Sequence, residues 1–135
     1  MKLVNVLLAA PVMSLVFLSG CIHNRVNLKE SEAIVLKVNA PQDLNLSTDV
    51  FGDDGNLVVL GRVSRGALDL RKIPGHIDIV VSNPTGEVTS TVKATFRDLP
   101  SWRHGPSPVA FRAEFPGLPP EHSVVEVTYH TNKHD

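Results

Sequence analysis

The sequence predicts an all-β protein, a single antiparallel β-sandwich of about seven strands in two sheets, and three observations predict it. Apolar and polar residues alternate with period two in segment after segment. The clearest case is Val88 to Arg97, where Val88, Ser90, Val92, Ala94 and Phe96 point one way and Thr89, Thr91, Lys93, Thr95 and Arg97 the other. Beyond Glu32 no stretch carries a helical 3.6 period. Clusters of Pro, Gly, Asn and Asp fall between the alternating stretches, where a chain that reverses direction needs them.

The elements follow in chain order. Lys2, an apolar run from Leu3 to Phe17 and the small residues before Cys21 have the order of a secretory signal, which assigns residues 1–20 to a signal peptide. A membrane-spanning helix fits less well, because it needs roughly 18 or more apolar residues and Pro11 interrupts this run. Leu18-Ser19-Gly20-Cys21 resembles the lipobox of bacterial lipoproteins, an aliphatic residue and two small ones before an invariant cysteine. The resemblance implies lipidation at Cys21, cleavage before it and a membrane anchor. Cys21 is the only cysteine, so there is no disulfide framework for it to join. Ile22 stands where an aspartate would, by that family's rule, retain the protein at the inner membrane. The implied address is the bacterial cell envelope, at the outer membrane facing the periplasm.

Residues 21–32 are mostly polar and read as a lipidated tether, about 35–40 Å long at full extension. The sandwich is expected over 33–130, followed by a polar tail at 131–135. Its first strand is Ala33–Asn39, with Ile34, Leu36 and Val38 on one face, ended by Ala40-Pro41. Leu44–Phe51 alternates Leu44, Leu46, Thr48 and Val50 against Asn45, Ser47 and Asp49. Gly52 to Asn56 supplies a hairpin turn, and Leu57–Ser64 is apolar on both faces at Leu57-Val58-Val59-Leu60, as in a central strand. Gly61 marks a bulge or a close approach. His76–Val81 precedes a turn at Ser82-Asn83-Pro84-Thr85-Gly86; the strand from Val88, Val109–Phe115 and Ser123–His130 complete the set. The expected core is Ile34, Leu36, Val59, Ile77, Ile79, Val92, Phe96, Phe111, Phe115, Val125 and Val127.

Two stretches carry a wider resemblance. Gly61-Arg62-Val63 with Gly75 to Gly86, and Phe111 to Phe115 with Pro119 to His130, resemble small bacterial envelope lipoproteins with an immunoglobulin-like domain, including the FxLYD type. The Leu-Tyr-Asp element itself is absent. The resemblance implies an immunoglobulin-like sandwich without an established chemistry, so no catalytic residue carries over.

Charge is nearly balanced, 13 Lys and Arg against 14 Asp and Glu, which provides no electrostatic footprint for nucleic acid. There is no Gly-x-Ser-x-Gly motif, no cofactor signature, and in Asp53-Asp54-Gly55-Asn56 no EF-hand spacing. A non-catalytic interaction or structural module is therefore expected, with an envelope protein or the cell wall as partner and an oligomeric state the sequence leaves open. Four local features could bind or react. Binding of Zn²⁺ or Cu²⁺ by histidine is the alternative function, for which His130 and His134 could pair on a helical turn; against this, His130 ends a strand and neither has a pre-organised partner. His76 and Asp78 share a strand face, where a carboxylate could orient an imidazole. Trp102, Arg103 and His104 sit in a proline-stiffened loop and combine residue types common at binding hot spots. The stretch from Arg65 to Pro74 adds Arg65, Arg71 and Lys72 without a ligand signature.

Overall fold

The computed structural model describes residues 25–66, 69, 71–99 and 107–131. Among them are nine strands and no helix: β1 (Arg25–Asn27), β2 (Ile34–Asn39), β3 (Leu44–Asp53), β4 (Asn56–Arg65), β5 (His76–Ser82), β6 (Val88–Thr95), β7 (Arg97–Asp98), β8 (Val109–Phe115) and β9 (Ser123–His130). They form a five-stranded sheet in the order β1-β3-β4-β8-β7 and a four-stranded sheet in the order β2-β9-β5-β6, packed face to face as a sandwich.

The core lies where the inward residues of both sheets meet. Val50, Leu57, Val59, Val63, Phe111 and Phe115 come from the five-stranded sheet, and Ile77, Ile79, Val81, Val125, Val127 and Tyr129 from the other. Of the expected core, Leu36, Val92 and Phe96 are only partly buried and pack against its margin. Gly61 is the close approach that its position suggested. It pairs with Phe111 across β4 and β8, and a Cβ there would overlap the Phe111 ring. The Gly52–Asn56 turn tightens to two residues, because Asp53 pairs with Asn56 around Asp54 and Gly55, both at positive φ (49° and 79°). Two left-handed residues match the twist of the flanking strands, and glycine takes the second without strain.

Four expectations are corrected. Residues 25–32 were expected in the tether, yet Arg25–Asn27 pair antiparallel with Asp53–Phe51. The polar outer side chains of β1 have partners there: Arg25 reaches Asp53 at 3.4 Å and lies 5.0 Å from the Phe51 ring centroid. A turn over residues 28–32 then carries the chain to the opposite sheet. The second correction concerns strand direction, since β2 runs parallel to β9 and every other pairing is antiparallel. Having crossed over from β1, the chain begins β2 at the same end as β9, where His122 N–H donates to the Ala33 carbonyl. Third, the strand expected through Arg97 breaks at Phe96, after which β7 joins the other sheet. Fourth, Val88 does not share the inward face. The register of β5 and β6 shifts by one residue between Val81 and Ser82, a bulge at Thr89 that pairs Val88 with outward Ser82 and leaves it 57% exposed.

The registers define two ends. The entry end holds Arg25, the Asp54-Gly55 turn, the β5–β6 turn at 83–87 and the β8–β9 connection at 116–122. The far end holds the β2–β3 connection, the end of β4, the starts of β5 and β8, and Thr131.

Candidate functional site

The far end gathers the polar side chains with chemistry. β5 starts there and β9 stops there, so that His76 lies opposite His130 on the outer face of the four-stranded sheet. Asp78, two residues along β5, is on the same face. Its two carboxylate oxygens are shared between the rings: Oδ1 lies 3.3 Å from His76 Nε2 and Oδ2 lies 3.2 Å from His130 Nε2. The imidazoles stack with centroids 5.5 Å apart and planes at 21°. Thus the expected His76–Asp78 contact exists, and His130 joins it from across the sheet. His130 is the last residue of β9 and faces Asp78. His134 lies outside the described residues, among which no group of three or more His, Cys, Asp or Glu is arranged to hold a metal ion. The cluster sets two imidazoles against one carboxylate, an arrangement that can donate and accept hydrogen bonds.

Backbone geometry supports this arrangement from beneath. Gly75 adopts φ 106° immediately before His76, and any Cβ there would collide with the His130 carbonyl oxygen. Only glycine lets the loop pass so close to the end of β9. Tyr129, next to His130, turns inward, stacks on Phe96 with centroids 6.0 Å apart, and donates its hydroxyl to the Pro74 carbonyl. Burial pushes its phenol above the ordinary value, with Arg65 acting against it and Asp43 adding to it.

A second cluster lies just beyond β4. Arg65, its side chain 9% exposed, places Nη1 2.9 Å from Asp43 and 3.4 Å from Asp69. Arg71 grips the other side of Asp69: Nη2 donates at 2.6 Å, Nε at 2.9 Å and the backbone N–H at 3.1 Å. The Arg71 side-chain and backbone hydrogen bonds hold the Asp69 carboxyl well below the usual carboxylate range, while Asp69 raises Arg71. Sequence reading named Arg65 and Arg71 without their carboxylate partners, because the i,i+2 and i,i+4 contacts depend on a loop conformation that carries no periodic signal.

Nearby, where the chain leaves one sheet for the other, a cleft of about 520 Å³ is lined by Leu60, Thr95, Arg97, Phe111 and Arg112 among others. Arg112 is tied to Glu114 at 3.1 Å. This volume lies within the range of ligand pockets, and it pairs an aromatic floor with two guanidinium groups. Trp102, Arg103 and His104, in the β7–β8 connection, lie outside the described residues, as do Leu18, Ser19, Gly20 and Cys21. No family model matches the chain, and no curated protein or solved structure matches it.

Proposed function

We propose that the chain is a lipid-anchored protein of the bacterial envelope whose sandwich is a non-catalytic binding module, presenting its far end away from the membrane. The observation that carries this reading is the position of β1. The chain enters the sandwich at Arg25, four positions after Cys21, at the end opposite the His76–Asp78–His130 and Arg65–Asp69–Arg71 clusters. An anchor at Cys21 would thereby orient the whole domain. Partners of the envelope or cell wall would meet the far end and its cleft, where aromatic, cationic and imidazole groups are available for recognition.

We read the sandwich as immunoglobulin-like in plan. β3, β4, β8 and β7 follow the order A-B-E-D of that fold, and β9, β5 and β6 follow F-C-C′. The place beside strand F that strand G takes in that plan belongs here to β2, in parallel orientation. Intact mass spectrometry of the membrane-extracted protein tests the anchor: a chain beginning at Cys21 with added acyl mass is expected, lost in Cys21→Ser. An unmodified soluble chain would remove the anchor reading. For the module, capture from solubilised envelope should yield a partner that is lost when the far-end residues His76, Asp78 and Arg97 are replaced by Ala; recovery no greater than from a chain lacking the sandwich would count against it.

A further inference from the structure

The entry end carries exposed apolar side chains. Val26 is 47% exposed and pairs with Gly52, against whose missing side chain Leu118 and Leu28 close; Leu118 itself is 53% exposed. The surface continues into a shallow cavity of about 240 Å³ beside Leu118, walled by Pro116, Pro119, Pro120, Thr89 and Ser90. Val88, turned outward by the bulge, extends the same end. Three of the five large apolar side chains that are most exposed among the described residues therefore gather at one pole, the pole at which the chain enters. Scattered exposed valines and leucines are ordinary; Val26 and Leu118, brought together at Gly52 beside a proline-walled recess, offer a contact surface.

We infer that this entry-end surface, centred on Val26 and Leu118, docks on the headgroup and upper acyl region of the bilayer that holds the Cys21 anchor. The inference rests on the anchor reading. Four residue steps from Cys21 to Arg25 span at most about 14 Å when fully extended, so the surface has no room to be far from the lipid. A partner protein of appreciable thickness could not be inserted between them. The charge around the patch defines the lipid. Glu30, Glu32, Asp54, Glu87 and Glu121 are exposed at this end against Lys29 and Arg25, so the rim is acidic and suits neutral, zwitterionic headgroups over anionic ones. Apolar contact supplies the attraction, while the acidic rim limits depth and holds the sandwich upright on its anchor.

The test uses the full-length lipidated protein in phosphatidylcholine vesicles, part of whose acyl chains are brominated to quench tryptophan. Trp102→Phe removes the only native tryptophan. In that background Leu118→Trp reports on the entry end and Lys72→Trp, exposed in the far-end stretch, on the opposite pole. The docked arrangement predicts a blue shift and strong loss of emission for Leu118→Trp and neither for Lys72→Trp. Replacing part of the phosphatidylcholine by phosphatidylglycerol should restore emission at Leu118→Trp. Because an added tryptophan can itself favour lipid, hydrogen exchange is also read on the chain with its own residues: amides 117–118 should slow on vesicles relative to Cys21→Ser in solution, and amides 71–73 should not. Equal emission and unchanged exchange at the two poles of vesicle-bound, acylated protein would overturn the docking and leave the anchor standing. Stronger quenching in anionic vesicles would overturn the assignment of neutral lipid. A chain that carries no acyl mass and does not float with vesicles would overturn the anchor, and the docking with it.

Discussion

Phe111 and Gly61 act as one packing unit. The ring occupies the space a side chain on Gly61 would take, in the middle of β4 and within the core. Phe111→Ala should cost about 3–5 kcal/mol in urea unfolding, through lost burial and the cavity left behind. Gly61→Val should be harsher to fold than its small volume suggests, because the ring cannot move without displacing the core; a normal midpoint would contradict this packing. Asp69 yields a pH prediction. Its carboxyl is lowered in the folded chain by Arg71, so its stabilising effect on the loop is fully present above the ordinary carboxylate value of about 4 and is lost as pH falls through the lower folded value. Exchange of the 71–73 amides should thus stay slow to acid pH, whereas Asp69→Asn should raise it already at neutral pH. Asp78→Ala should loosen the adjoining ends of β5 and β9 while costing less than about 1 kcal/mol, since the contacts it removes are partly in solvent.

At the scale of elements, the strands most legible in the sequence are those with one wet and one dry face. Val109–Phe115 and Ser123–His130 occupy the expected residues because their alternation is uninterrupted and fixed by burial at Phe111, Phe115, Val125 and Val127. Short strands were missed for a physical reason: β1 and β7 have three and two residues, too few to show a period, and exist through pairing with distant partners. The reversal of Val88 was hidden similarly, since a one-residue bulge leaves local alternation intact while changing what it faces. His76–Asp78 was readable from their spacing, but the arrival of His130 depends on the β5–β9 register, a tertiary fact. β2 should prove the weakest long strand. Ile34 is buried, but Val35 and Val38 are about half exposed. Ile34→Ala is expected to cost about 2–4 kcal/mol and Val38→Ala well under that, measured by thermal or urea unfolding.

For the whole molecule, the useful description is a sandwich with unlike poles, one apolar with an acidic rim and one rich in His, Arg and Asp. Among the described residues, β1 is part of the sandwich. A chain starting at Arg25 should therefore unfold at higher urea than one starting at Ala33, which lacks the β1–β3 pairing and the Leu28 contact with the core; equal midpoints would return residues 25–32 to the status of a linker. β1 begins at one pole and β9 ends at the other, which separates Arg25 and Thr131, the first and last of the described residues. β9 has eight residues, about 27 Å of strand, and delivers Thr131 to the pole opposite Arg25. Circular permutation through a short peptide joining Thr131 to Arg25 is thereby ruled out by distance, and a pair of labels at these two residues would read the full length of the sandwich.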